Sequence, residues 1–550
     1  MPRLRRDRIP VLVIAGLLVV GIAVPMSGGE LGFGGVARTA PTASLPGPGA
    51  GGTPTPAPTP EPTAVATPVP TATPVPTPNT VQAAIVPVTQ FRATATATGR
   101  QEVADVLAGT SKRYEALELV ADEADAILAA VGAARPLDTT RLVLANDAAT
   151  LRRDLAKERK RLAFLRVEDI TPAVRALAWG KQELFGVDRI TTADAWRLRA
   201  DLPIRDGAVP FDPAATWTLF AGGDILLDRG VYQTVRIRGK GVDFPFDGGT
   251  AEITSRCKDC SPLGWDLPRT RRTGNAGAVR DLVSSADIAI ANFENPAPNR
   301  FRWHTRNTVF TADPSLIDGL VNAGIDYVSI ANNHIGDAGD TGILQTIANL
   351  RKRGLKYSGA GKDLAAARKP AILEANGVKV AVLAYDAIAK SYFAGRTETG
   401  SAQLTLHMAR TGIEAARKAG ADVVIVFPHW GVEYRGQPFE RQQKLARDIL
   451  DAGADMIIGN HAHYAAAMEV YKGKPIWYAL GNFVFDQDWS EFTMEGITLE
   501  LTFHGAELRQ VRMRPHIILD KAQPNFLDPA GDGRVVMGQV FDASRGLLPY

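Results

Sequence analysis

Beyond residue 215, five apolar, β-branched runs each stop on polar side chains, and this repeated ending limits the fold more than any other feature. They are "WTLFAGGD" ending at Asp224, "ADIAIANFE" at Asn292 and Glu294, "YVSIANNH" at Asn333 and His334, "VVIVFPH" at His429, and "MIIGNHAH" at His461 and His463. Between them lie amphipathic stretches that close on glycine, such as "DPSLIDGLVNAG", "TGILQTIANLRKRG", "GIEAARKAG" and "RQQKLARDILDAG". Glycine there supplies the left-handed cap that ends a helix. Strand alternating with helix predicts βα units, and therefore a largely parallel sheet covered on both faces. In open α/β sheets ligands sit beyond the carboxyl ends of the strands, so the five tips are expected to meet. One such tip is readily a turn cap or a satisfied core group; five from independent strands point to a metal site.

The donor types narrow the ion. Carboxylate, carboxamide and imidazole together suit zinc, manganese or iron better than calcium, and the absence of thiolate favours catalysis over a structural role. Cys257 and Cys260 fit a local disulfide or two idle thiols, and two ligands alone do not complete a structural zinc site. With 62 basic against 59 acidic residues, a net charge of +3, the chain has no broad positive field, so no nucleic-acid partner is expected.

At 550 residues the chain exceeds what one core usually holds. Arg3, Arg5, Arg6 and Arg8 precede an apolar run from Ile9 to Met26, which reads as an N-terminal membrane anchor over 1–26, with a cleaved signal peptide as the competitor. Residues 27–80 form a Pro/Thr-rich linker that lacks the apolar bulk to fold and favours polyproline II. Extended, it reaches on the order of 100 Å, enough to hold the folded part off a membrane. Residues 81–205 read as a small α/β domain of unknown role, with "AAIVPVTQF" as a strand and "RQEVADVLAG" and "ALELVADEADAILAAVG" as helices. The main domain is expected over 216–515, followed by a tail, 516–550.

The motifs "GDILLDRGV", "ANFENP", "ANNHIGDAGDTGI", "YSGAG", "PHWGVEY", "GNHAH" and "KPIWYALGNFVFDQ" resemble, in combination, the metallophosphoesterase-like domain of capsule-synthesis proteins of the CapA/PgsA type, associated with poly-γ-glutamate biosynthesis. The resemblance spans roughly Thr216 to Asp488 and implies a layered, metallophosphatase-like α/β sandwich. Carried over motif by motif, it implies one or two divalent metal ions (Mn, Zn or Fe). Asp224 and His463 would hold one, Asn333, His429 and His461 the other, and Glu294 would bridge. His334 would be the general acid or charge stabiliser. Asn292, Glu433 and Asn482 are expected at the substrate. The usual first motif is Asp-x-His, whereas here Leu226 follows Asp224 and Ile225, so one imidazole is missing; glutamate also replaces the usual bridging aspartate. The implied partners are an anionic polymer such as poly-γ-glutamate, the membrane through the N-terminal segment, and polymer synthase or exporter subunits, with the folded domains extracytoplasmic. A secreted phosphoesterase or nucleotidase, and a non-enzymatic polymer scaffold, are the competing functions. The glycines of "SGAGKD" lack the full spacing of a phosphate loop and read as a strand-to-helix turn.

Overall fold

Side chains alternate across strand Thr216–Ile225: Leu219 and Ala221 enter one apolar core, and Phe220 enters another on the opposite face. The same parity holds in Val423–His429, where Val423, Ile425 and Phe427 point to the shared core while Val424 and Val426 point away. Period-two alternation with both faces apolar requires cover on both sides of each strand. The cover comes from a second sheet on one side and helices on the other. Between the sheets lie Trp217, Ile290, Val382, Phe427, Trp477 and Leu499. Outside the first sheet pack helices Ala278–Ser285, Ile317–Asn322 and Gly339–Lys352; outside the second pack Leu406–Lys418 and Glu440–Asp451. The result is four layers, helix on sheet on sheet on helix.

The computed structural model describes residues 80–205, 207, 211–306 and 308–547. The expected anchor (1–26) and nearly all of the linker (27–80) lie outside the described residues. Among those described, no helix is long and apolar enough to cross a membrane.

The βα rhythm by itself predicts one largely parallel sheet; the structure has two mixed sheets, of ten and six strands, which fit the layered sandwich that the resemblance implies. In the first, Thr216–Ile225 pairs parallel with Ile288–Phe293 but antiparallel with Glu495–His504. Glu495–His504 continues antiparallel into Glu507–Leu519 and then Gln523–Phe526. No helix separates these last strands, so they form a meander rather than crossovers. A correction follows for 516–550. Strand Glu507–Leu519 runs through the expected boundary at 515, and helix Arg534–Ala543 places Val536, Met537 and Val540 in the core between the sheets. As far as residue 547 this segment is part of the layered structure rather than a tail.

Residues 80–203 build a six-stranded sheet around their own core, which includes Ile85, Leu117, Phe164 and Trp196. Here the expected helix over "ALELVADEADAILAAVG" divides into a buried strand, Ala116–Val120, and a helix, Ala124–Val131. The strand pairs parallel on both sides, with Leu142–Ala145 and Arg161–Arg166. Sheet pairing has overridden the helical preference of Ala, Leu and Glu. Polar contacts join this sheet to the main layers: Gly186 N–H donates to Thr502 Oγ1 (2.8 Å) and Arg512 pairs with Glu183 (2.8 Å).

Cys257 and Cys260 form a local disulfide at the tip of the hairpin made by Thr250–Cys257 and Leu267–Gly274, so the idle-thiol alternative is set aside.

Gly223 fixes how the polar tips approach one another. A Cβ on it would stand 1.9 Å from the carbonyl oxygen of Gly481, which accepts from Asp224 N–H at 3.1 Å. Gly223→Ala must therefore force apart the strands carrying Asp224 and Asn482. Overpacking of this kind costs about 1–3 kcal/mol, so the unfolding free energy from denaturant titration is expected to fall by that much, with loss of any ion held beyond the strand ends.

Candidate metal centre

Register brings the tips together. Asp224 is opposite both Asn292 and Asn482, and His429 is opposite Asp386 and bridges to Asn460. Asp224 and Glu294 are 0% exposed, and His429, His461 and His463 are 4% exposed or less. The turn after Met456–Ile458 needs Gly459, where a Cβ would meet the Tyr478 carbonyl oxygen at 2.2 Å and the Trp430 indole nitrogen at 2.5 Å. Beyond it His461 and His463 both adopt positive φ, 89° and 55°. Such conformations are uncommon for residues other than glycine and persist only where surrounding structure imposes them. Here they turn both imidazoles back over the strand ends.

Four donor atoms converge on one point. His429 Nε2 lies 2.7 Å from Asn333 Oδ1, 3.1 Å from His461 Nδ1 and 3.4 Å from Glu294 Oε1. One imidazole nitrogen carries either a proton or a lone pair, so it cannot satisfy three such neighbours. The same Glu294 oxygen, Oε1, also faces His463 Nε2 at 3.7 Å, and His463 Nδ1 lies 3.5 Å from Asp224 Oδ2. Both Glu294 carboxylate oxygens are buried with no hydrogen-bond partner, an arrangement costly enough to call for a cation. Two groups of donors can hold one: Glu294 with His429 and His461, and Asp224 with Glu294 and His463. Glu294 is common to both.

The electrostatics agree. Burial raises the Asp224 carboxyl to about 7, against the hydrogen bonds from Asn292 and His461. Glu294 is pushed well above the usual carboxylate range, by burial first and then by the Asp224 charge. Burial lowers all three imidazoles, His463 to about 3; the neighbouring imidazoles lower His429 and His461 further. Without an ion burial favours the neutral form of each of these groups; a cation would favour the charged carboxylates. The imidazoles are already neutral near pH 7, so an incoming ion displaces protons only from Asp224 and Glu294. Metal affinity is accordingly expected to rise between pH 5.5 and 7.5 by about a decade per pH unit for each proton displaced. A chelator competition across that range measures the slope, and a flat profile would contradict the carboxylate assignment.

Asn292 and Asn482, expected at the substrate, lie behind the donors instead. Both are 0% exposed. Asn292 Nδ2 donates to Asp224 Oδ1 (2.8 Å), and Asn482 Oδ1 lies 2.9 Å from His463 Nδ1. The second contact fixes the proton on Nδ1 and leaves Nε2 facing Glu294, the usual task of an outer partner. Glu433 is exposed at the rim, near enough for its charge to raise the Glu294 carboxyl.

His334 stands at the edge of the cluster. Its Nε2 accepts from Asn333 Nδ2 (3.0 Å), and its Nδ1 donates to Asp337 Oδ2 (2.9 Å) while its ring lies tilted against Phe310, 4.1 Å between centroids. Asp337 is a partner the sequence reading missed. Its signal was there: it follows His334 by three residues in "NHIGD", within a turn's reach. Arg229, in "GDILLDRGV", was missed too; it pairs with Asp486, and its charge lowers the Glu294 carboxyl. Leu226, at the place of the missing imidazole, is buried among Phe310, Phe485 and Ile518.

Residues 218–487 match the model of the family described as "Bacterial capsule synthesis protein PGA_cap". This part of the chain, just under half of it, is a domain of the capsule-synthesis family. Among its relatives, the capsule biosynthesis protein CapA of Bacillus anthracis is 34% identical over 220 residues, covering 38% of this chain and 54% of the relative. The PGA biosynthesis protein CapA of Bacillus subtilis (strain 168) is 35% identical over 216 residues, covering 38% of this chain and 57% of the relative. The chain thus spans about half the length of these two relatives. Among solved structures, the NAD nucleotidase of Haemophilus influenzae aligns with a TM-score of 0.33 at 12% identity, covering 60% of this chain and 56% of that one. The capsule-synthesis match begins at Thr218 and ends at Gln487, and so contains every donor described above.

Proposed function

We propose that the capsule-synthesis domain is a metal-dependent hydrolase or transferase of the metallophosphoesterase-like kind, acting on an anionic polymer such as poly-γ-glutamate. The observation that carries this reading is the orphaned Glu294 carboxylate between two sets of imidazoles. Divalent ions bound there would polarise an acyl or phosphoryl oxygen and lower the pKa of water. Asp224 and His463 would hold one, Asn333, His429 and His461 the other, with Glu294 shared. Asn292 and Asn482 orient these donors, and the positive φ of His461 and His463 sets their aim. As an imidazolium held at Nδ1 by Asp337, His334 would deliver its Nε2 proton to the leaving group, and the neutral ring that remains accepts again from Asn333 Nδ2. Arg229 supplies positive charge at the same end of the domain.

The family supports the polymer reading, and the two CapA relatives bear names from capsule and PGA biosynthesis. We place the chain at a membrane through 1–26, with the folded layers extracytoplasmic and the Pro/Thr linker as spacer, alongside synthase or exporter subunits. The test is metal analysis of the purified protein with a screen of γ-glutamyl polymers against phosphate monoesters and diesters. Metal-dependent turnover of the γ-glutamyl polymer supports the proposal. Turnover of phosphoesters alone makes the protein a phosphoesterase, and stoichiometric polymer binding without turnover makes it a scaffold.

A further inference from the structure

The chain is nearly balanced in charge, yet one groove is not. A cavity of about 950 Å³ is lined by Arg351, Lys356, Lys362 and Lys369, and no carboxylate lines it. Among the described residues none of these four side chains forms an ion pair or hydrogen bond; Arg351 lies over the Tyr357 ring, 5.4 Å from its centroid. The groove sits where two sheets end. Lys356–Ser358 is the last strand of the ten-stranded sheet and Ala371–Ala375 the last of the six-stranded sheet. The turn "SGAGKD" crosses it, with Gly359 at φ +99° packed so closely that a Cβ would stand 2.4 Å from that of Ala331. Ala331 leads directly into Asn332, Asn333 and His334, so the groove's turn rests on the segment that carries the metal centre's rim.

We propose that this groove is a docking site for an extended anionic polyamide, which deepens and rests on the polymer reading above. Lysines alone on a sheet edge would only deter pairing with another chain. A concave groove with four unpaired cations does more, because it offers counter-charges to a regularly spaced series of carboxylates. The two end strands add what a bare anion would not use: outward backbone groups able to pair with amides of an added chain, as in strand addition. A γ-glutamyl chain has both an amide and a free carboxylate in every unit. A phosphate polymer has charge without the amide.

The test uses the full, metal-loaded chain and an end-labelled γ-glutamate decamer at low salt, followed by fluorescence anisotropy. Charge reversal in the K362E/K369E protein is expected to weaken binding at least about tenfold, with metal content unchanged as evidence of folding. The amidated, uncharged decamer should not bind, and polyphosphate of equal charge should compete more weakly than unlabelled decamer. Unchanged decamer affinity in K362E/K369E overturns the proposal, as does polyphosphate competing equally well, which would assign the groove to bare anions. His461→Ala separates the two readings, since it should bind decamer normally without turning it over. Wild-type binding through the groove with no metal-dependent turnover leaves the groove standing and removes the hydrolase. Turnover of decamer with charge reversal ineffective does the opposite.

Discussion

Replacing His429 or His461 by alanine is expected to strip the metal centre, lowering affinity by about 100-fold or more, beyond what loss of an outer partner costs. His429 Nε2 faces the Asn333 and Glu294 oxygens at 2.7 and 3.4 Å, and His461 Nδ1 lies 3.1 Å from that same nitrogen. Removing either leaves an ion short of a ligand in a site already lacking one imidazole at Leu226. It also leaves Glu294 with less to offset its burial, so the metal-loaded protein should lose thermal stability while a chelated control changes little. Metal analysis after gel filtration, beside melting curves with and without chelator, measures both effects. Full metal content in both variants would mean that the cluster is a buried polar network and not a metal centre.

His334→Ala is expected to behave in the opposite way, keeping near-normal metal while losing turnover by about 100-fold or more, the usual contribution of a positioned acid. The geometry separates the roles. His334 bonds Asn333 and Asp337 and makes no contact with Glu294 or Asp224 among its hydrogen bonds and ion pairs. Asp337→Asn should fall between wild type and His334→Ala in rate, because the imidazolium loses its partner. An unchanged rate in His334→Ala on every polymer and phosphoester that wild type turns over would remove His334 as the acid.

Much of this site was legible because strand ends are legible. An apolar run followed by Asp, Glu, Asn or His marks both the strand and the side chain it delivers, and Asp224, Glu294, Asn333, His429, His461 and His463 were all found that way. Asn292 was found by the same signal and Asn482 through the family resemblance, and both lie behind the donors. Sequence places a residue at a strand end but not in front of or behind its neighbours, and that depth is set by register across three strands. Asp337 escaped because its partner is reached around a turn and not along a strand. Ala116–Val120 escaped because five helix-compatible residues carry no local mark of the parallel partners on either side. The antiparallel part of the larger sheet was hidden for a related reason. Helix-linked strands announce themselves by rhythm, whereas the meander from Glu495 to Phe526 depends on pairings between strands that no period records.

The depth of the donors also has a kinetic meaning. With Asp224, Glu294, His429, His461 and His463 nearly sealed from solvent, an ion leaves only when the surrounding loops open, so its residence time is set by local unfolding and not by the strength of any one bond. Manganese, zinc and iron differ widely in affinity for imidazole and carboxylate, but an ion held this deep would re-equilibrate slowly, over hours of incubation and not on mixing. The metal found in the mature protein would then record which ion was at hand while the chain folded, a memory of its assembly that later changes in surroundings are slow to erase.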